Sequence, residues 1–169
     1  MIHRAIYLLF FGGLLLSGCG GSPEADFSSH GISFTKPAGW KVTDEEYTDE
    51  ANTLFVEKEG MTSSGLVLVQ WYSGPVDHKV MVEVYTESLN AAEETTGFER
   101  SDAEPIPDTG KSGYQIRYSF RTFGLPHSGK CLSYECGSYT ILLGFQGADE
   151  DQDANAEGFK LVEESIVCE

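Results

Sequence analysis

Polar and apolar residues alternate through much of the chain, with the period of two that is typical of half-buried β-strands. The clearest alternation runs from Tyr114 to Phe123, where tyrosine, isoleucine and phenylalanine occupy the even positions up to Phe120. Shorter runs of the same kind predict strands at residues 31–35, 53–59, 65–73, 98–103 and 138–146. Glycine or proline stands in several of the short links, which favours antiparallel pairing.

Two segments have helical spacing instead. Between Asp77 and Glu94, apolar residues recur at steps of three, four and seven, and Asp77 is a suitable N-cap. This helix is predicted to face the core with Val80, Val84, Ala91, Met81, Tyr85, Ser88 and Ala92. A last helix, capped by Asp153 or Asn155, is predicted to bury Phe159, Val162 and Ile166. The order of elements predicts an α+β fold, with an antiparallel β-sheet flanked by helices.

Residues 1–18 have the anatomy of a secretory signal. A short basic start at His3 and Arg4 precedes an apolar run that is too short to cross a bilayer of about 30 Å as a permanent helix. The Leu-Ser-Gly sequence before Cys19 resembles the bacterial lipobox, in which the cysteine is acylated and becomes the first residue of the mature chain. We therefore expect a lipoprotein signal peptide at 1–18, a lipidated Cys19 with a flexible tether at 19–29, and a single globular domain at 30–169.

The same pattern predicts a location. Lipid on Cys19 would hold the protein on a membrane of the bacterial cell envelope, because two or more acyl chains give stable anchoring. Gly20 follows the cysteine, in place of the Asp that retains lipoproteins in the inner membrane of enteric-type bacteria. The outer membrane, facing the periplasm, is therefore favoured over the inner membrane.

The charge of the chain argues against one class of partner. The 169 residues carry a formal charge of −16, and removal of residues 1–18 takes away Arg4 and leaves −17. Binding to a phosphate backbone needs clustered Lys and Arg, so nucleic acid is not an expected partner. An aromatic content of 12% indicates a folded domain and not a disordered tail.

Three further cysteines, Cys131, Cys136 and Cys168, would lie in an oxidising compartment, where two of them are expected to pair. Cys131 with Cys136 is the leading pair. It requires a turn between the two residues, because a straight strand would separate their Cα atoms by about 16 Å. A bond to Cys168 is the alternative, and the absence of any disulfide is the third case.

No catalytic motif is found in the sequence. The mature chain has three histidines without paired spacing, and it has neither a Gly-x-Ser-x-Gly elbow nor a Gly-rich loop before Lys. We therefore expect no enzyme activity, no metal site and no cofactor. Arg117 and Arg121 lie four residues apart on one side of the best predicted strand. They either pair with neighbouring carboxylates or contact an anionic ligand or partner.

Residues 32–40, which read ISFTKPAGW, resemble the opening of the PsbP-like superfamily, in which a strand is followed by Pro, a small residue, Gly and Trp. The segment 158–166 is similar to that family's last helix, and the order of elements fits over residues 30–167. The superfamily includes DcrB-like bacterial lipoproteins. The resemblance implies an α/β/α sandwich, and it implies a binding or assembly module, since most known members are not catalysts.

Two functions are open at this point. A lipid-anchored envelope module that contacts a partner protein near the membrane should have an exposed apolar or aromatic patch of several hundred Å². A periplasmic lipoprotein that binds a small ligand between sheet and helix should have a closed pocket of about 300 Å³ or more. The sequence does not choose between them.

Overall fold

The computed structural model describes residues 21–61, 63–107 and 110–169. Two helices lie among the strands in chain order. The first part of the chain contains β1 (Ala25–Ser29), β2 (Ile32–Lys36), β3 (Trp40–Tyr47), β4 (Asn52–Lys58), β5 (Leu66–Ser73) and α1 (His78–Ala91). The second part contains β6 (Thr95–Arg100), β7 (Glu104–Pro105), β8 (Gly113–Thr122), β9 (Leu125–Cys136), β10 (Tyr139–Ala148), a short 3₁₀ turn (Asp149–Asp151), α2 (Gln152–Ser165) and β11 (Val167–Cys168).

The strands form two antiparallel sheets. The large sheet has the order β3-β4-β5-β10-β9-β8-β6, and β7 pairs with β8 beside β6. The small sheet has the order β1-β2-β11. This arrangement confirms the predicted α+β fold, with an antiparallel sheet flanked by helices.

The alternation along each strand divides the core into two layers. On β5, Val67, Val69 and Trp71 point to one face of the large sheet, and Leu68 points to the other. We call the first face, which is covered by α2 and the small sheet, the closed face. We call the second face, which carries α1, the half-open face.

The closed face contains the largest buried side chains. Trp71 and Phe145 are almost completely buried there, and the indole N–H of Trp71 donates to the carbonyl of His30 at 3.0 Å. Phe159 of α2 packs edge-on against both Trp40 and Phe145, at ring-centroid distances of 5.6 and 5.5 Å. The prediction that Phe159, Val162 and Ile166 face the core is confirmed, since all three pack in this layer.

The half-open face is covered by α1 over only part of its width. Met81, Val82 and Thr86 of the helix are buried, and the helix packs against β6, β8, β9 and β10. In the described part of the chain, no helix packs in the same way over β3, β4 and the outer side of β5. A strip of the sheet therefore lies open beside the helix.

The rotation of α1 differs from the prediction. Asp77 is the N-cap as predicted, because its carboxylate accepts from the backbone N–H groups of Lys79 and Val80 at 2.9 and 3.1 Å. The predicted inward stripe is correct for Met81 and Tyr85, which pack against the sheet, but wrong for Val80 and Val84, which are 50% and 57% exposed. The helix is rotated so that Val82 and Thr86 are buried beside Met81.

The folded region begins earlier than the predicted boundary at residue 30. Ala25–Ser29, expected to belong to a flexible tether at 19–29, forms β1 and pairs with β2 in continuous register. Phe27 accounts for the difference, because its ring packs on Phe34 at a centroid distance of 5.0 Å. Residues 1–20, including the predicted signal peptide and Cys19, lie outside the described residues.

Candidate functional site

An apolar groove runs along the half-open face between α1 and the strands β5 and β10. It has a volume of about 410 Å³. Seven apolar or aromatic side chains line it: Tyr72, Val76, Val80, Met81, Val84, Tyr85 and Leu142. Gln70 and Ser88 add polar groups to the wall. We call this feature the α1 groove.

One glycine fixes the height of α1 above the sheet. Tyr85 lies across Gly144 of β10, where a Cβ atom would come within 2.4 Å of the tyrosine oxygen. The hydroxyl of Tyr85 lies 3.4 Å from that of Tyr118, which in turn donates to the carbonyl of Phe145 at 3.2 Å. Burial raises the pKa of Tyr85 to about 12 and also raises the pKa of Tyr118, so both phenols stay neutral. The floor of the α1 groove is therefore uncharged.

The outer wall of the α1 groove is open to solvent. Val76, Val80 and Val84 are 37%, 50% and 57% exposed, and they follow one another at intervals of four residues. Val80 and Val84 lie one turn apart on one side of α1, and Val76 precedes the N-cap Asp77. Three exposed valines in a row leave an unpartnered apolar strip along the groove, which a single scattered apolar residue would not do.

The two arginines singled out from the sequence lie away from the α1 groove. Both are exposed on β8, and their side chains are on the side of the strand opposite to Ile116 and Tyr118. Arg121 donates to the carbonyl of Gly124 at 3.1 Å. Among the described residues, neither guanidinium lies within 4.0 Å of a carboxylate, and the ion pairs found there involve lysines.

The cysteine pairing corrects the leading prediction. Cys136 is bonded to Cys168, with the Cα atoms 5.6 Å apart, and Cys131 is a free, buried thiol. Cys131 and Cys136 are five positions apart in the uninterrupted strand β9, so their side chains point to opposite faces of the sheet. Cys131 lies beneath α1, and Cys136 lies on the closed face, where β11 brings Cys168.

The chain is firmly held where it leaves the region of Cys19. The N–H of Ser22 donates to the Glu59 carboxylate at 2.8 Å, and its hydroxyl donates to the carbonyl of Trp40 at 2.6 Å. The hydrogen bond from Ser22 lowers the pKa of Glu59 below its ordinary value. Lys36 donates to the same carbonyl of Trp40 at 2.7 Å. These contacts fix the position of the domain's first residues.

A second depression, of about 630 Å³, was not anticipated from the sequence. Lys130 of β9 and Glu163 of α2 form an ion pair at 2.5 Å in its wall. Lys111 lies 4.2 Å above the ring of Tyr134, and burial lowers the pKa of its ammonium group. These residues are far apart in the sequence and have no common motif, so only the packing of α2 on the sheet brings them together.

Two properties of the described residues bear on the function. No helix among the described residues is both long and apolar enough to cross a membrane. In the same ranges, 21–61, 63–107 and 110–169, no group of three or more His, Cys, Asp or Glu side chains is placed to hold a metal ion.

The fold is shared with solved structures of low sequence identity. Cyanobacterial PsbP (CyanoP) from Synechocystis sp. PCC 6803 matches with a TM-score of 0.63 and 15% identity, over 90% of this chain and 96% of that one. LpqN, involved in cell envelope biogenesis of Mycobacterium tuberculosis, matches with a TM-score of 0.56 and 14% identity, over 86% and 90%. The Ran-binding protein Mog1p of Saccharomyces cerevisiae matches with a TM-score of 0.52 and 9% identity, over 88% and 96%.

No family model matches the sequence, and no curated protein matches it. The structural likenesses nevertheless confirm the PsbP-like fold that residues 32–40 and 158–166 predict. At identities between 9% and 15% they show the fold and carry no functional residue across.

Proposed function

We propose that the protein is a non-catalytic, lipid-anchored module of the bacterial cell envelope that binds a segment of a partner protein in the α1 groove. Lipid on Cys19 would hold it at a membrane, the outer membrane facing the periplasm being favoured by Gly20. The observation that carries the proposal is the exposed row of Val76, Val80 and Val84 beside an uncovered strip of sheet.

The shape of the groove supports a protein segment over a small molecule. Enclosed sites bury most of a small ligand's surface. Here Val80 and Val84 are at least half exposed, so the α1 groove is not enclosed along the side that they form. An amphipathic helix or an extended chain fits such a surface, because it places apolar side chains against the valines and keeps its other side in water.

The charge around the groove indicates the chemistry of the partner. The protein carries a formal charge of −16, and Glu87 stands exposed three residues after Val84. A segment in which apolar residues are flanked by Lys or Arg would be attracted and oriented by this surface. An acidic segment would be repelled.

Two proteins of similar fold support the envelope role. LpqN, which shares the fold, is described as involved in cell envelope biogenesis, and Mog1p, which also shares it, is described as a Ran-binding protein. Both descriptions fit the proposal that this chain is a binding module. They extend to it only as an analogy of fold.

The test is site-specific photo-crosslinking in the native envelope. A photoreactive residue at Val84 is expected to capture one recurrent protein. Val167 is the matched control, because it is the same residue type with the same exposure of 57% and lies on the small sheet. The adduct should disappear when Cys19→Ser removes the lipid attachment site.

Three outcomes would contradict the proposal. Equal capture at Val84 and Val167 would mean that the α1 groove is not a specific site. Unchanged capture in the Cys19→Ser variant would mean that anchoring is not needed for the contact. A small molecule that co-purifies with the protein and protects Val84 from labelling would establish the alternative, a periplasmic small-ligand-binding lipoprotein.

A further inference from the structure

The connection between Cys19 and the folded domain is very short. Ser22 is already hydrogen-bonded to Glu59 and Trp40, and the described chain begins at Gly21. Two residues of extended chain reach at most about 7 Å. A lipid on Cys19 would therefore enter the membrane close to the loop between β4 and β5, so one end of the large sheet must lie near the bilayer.

That end of the sheet carries three exposed apolar side chains on two loops. Met61, between β4 and β5, is fully exposed, and Phe123 and Leu125, at the turn between β8 and β9, are 87% and 54% exposed. A depression of about 490 Å³ is lined by residues of the β4–β5 loop and by Thr122 and His127, which flank the β8–β9 turn, so the two loops lie at the same end of the sheet.

The turn between β8 and β9 holds Phe123 in an unfavourable backbone conformation. Its φ angle is 50°, and that of Gly124 is 81°, so both residues adopt the left-handed region. Two-residue hairpin turns of this kind favour Asn-Gly, and a bulky side chain at the first position is disfavoured. A strained and almost fully exposed phenylalanine gains nothing from the fold itself, which indicates a role outside it.

We propose that Met61, Phe123 and Leu125 contact the lipid bilayer and seat the domain on the membrane in one orientation. This inference rests on the lipid anchoring in the proposed function and adds the surface that faces the lipid. These apolar side chains would insert into the bilayer at the level of the headgroups, as exposed Phe and Leu side chains do at membrane surfaces.

The charges at this end favour a neutral lipid surface. Lys41 and Lys58 line the depression between the two loops, but Glu57 and Glu59 line it as well. With a formal charge of −16 over the whole chain, attraction to anionic headgroups is not available. The apolar side chains would then supply the attraction to the bilayer, and membrane binding through them should not depend on the salt concentration.

Seating on this end would also orient the α1 groove. Leu66 and Gln146 pair with each other near the loops, and Tyr72 pairs with Thr140 toward the other end of the same strands. The groove, lined by Tyr72 and Val76, would thus open to the side and begin above the lipid surface. A partner segment could reach it without displacing the domain.

The experiment uses the full lipidated chain in vesicles of zwitterionic phosphatidylcholine whose acyl chains are brominated near the headgroup. Leu125→Trp is the reporter, and Val167→Trp is the control at the small sheet. The native Trp40 and Trp71 are 3% and 0% exposed and provide a constant background. On binding to these vesicles, the emission of Leu125→Trp is expected to shift to the blue and to be largely quenched by bromine. The emission of Val167→Trp is expected to be neither shifted nor quenched.

A second variant separates membrane contact from folding. Phe123→Asn suits the left-handed conformation, so it should leave the hairpin intact or stabilise it. Added to the Leu125→Trp reporter, it is expected to reduce the quenching while the free energy of unfolding does not fall. Quenching that does not change with Phe123→Asn would overturn a role for this side chain.

Failure of the inference can be told from failure of the anchoring. Mass spectrometry of the N-terminal peptide reports whether Cys19 is acylated. An unmodified Cys19 would remove the proposed anchor and this inference with it. If Cys19 is acylated but Leu125→Trp is quenched no more than Val167→Trp, the proposed contact of Met61, Phe123 and Leu125 with the bilayer would be overturned, and the lipid anchoring would stand.

Discussion

The closed and half-open faces of the large sheet are built from the same strands but are covered to different extents. Both faces receive a helix of 14 residues, α1 on one and α2 on the other. Only the closed face has a second layer in addition, because β1, β2 and β11 place Ile32 and Phe34 over the core. A single helix does not cover an eight-strand sheet, and the α1 groove lies beside the helix where this cover ends.

A small domain can keep both stability and a binding surface by placing them on different faces of one sheet. Buried aromatic residues are concentrated on the closed face, where Trp40, Trp71 and Phe145 lie. The half-open face carries exposed valines at the helix and buried tyrosines beneath it. The free energy of unfolding is thus expected to depend most on the closed face, and partner recognition on the half-open face.

The largest expected effect is on the closed face. Phe145→Ala removes a ring that is 1% exposed and packs on Phe159, and it should lower the free energy of unfolding by about 3–5 kcal/mol. Val84→Ala on the half-open face is the control and should change it by less than about 0.5 kcal/mol. Urea unfolding followed by fluorescence measures both. Similar losses in the two variants would break the distinction between the faces.

A smaller effect is expected beneath α1. Gly144→Ala places a methyl group against the Tyr85 oxygen, and overpacking of this kind should cost about 1–3 kcal/mol. In a Tyr85→Leu background the same substitution should cost clearly less, because the clashing atom is gone. A double-mutant cycle by urea unfolding reports this coupling. An equal cost in both backgrounds would show that the tyrosine does not set the helix position.

The smallest effect is a pH dependence. Burial raises the pKa of the Cys131 thiol from 9.0 to about 12, so above pH 9 the unfolded chain loses a proton that the folded chain keeps. The free energy of unfolding should therefore fall by about 1 kcal/mol between pH 9 and pH 10 on account of this residue. Cys131→Ala should remove that part of the slope. A slope unchanged by the substitution would mean that the thiol is not buried under α1.

Local patterns in the sequence predicted the elements but not their contacts. The alternation around Tyr118 predicted β8, and Asp77 predicted the start of α1, because both signals depend on residues close in the chain. The rotation of α1 could be predicted only in part, since Met81 and Tyr85 face the sheet as predicted but Val80 and Val84 do not. The Tyr85–Gly144 contact beneath the helix joins residues 59 positions apart, which no local pattern encodes.

The sites depend on the same long-range contacts. The bond between Cys136 and Cys168 forms because β11 pairs with β2 over the closed face, which no spacing of cysteines encodes. Pro126 is a residue type that favours turns, yet residues 126–130 belong to β9 because they pair with β8. The α1 groove exists because the helix is narrower than the sheet, and this depends on the whole architecture.

Both outer strands of the large sheet contain an irregularity. The pairing of β3 with β4 shifts between Thr43 and Glu46, where Asp44 has a φ of 47°. The pairing of β6 with β8 shifts between Thr96 and Glu99. Bulges and charges at exposed strands prevent a second copy from adding its own strand there. Even at high local concentration, copies of this protein should therefore not join into extended β-sheet assemblies through the outer strands of the large sheet.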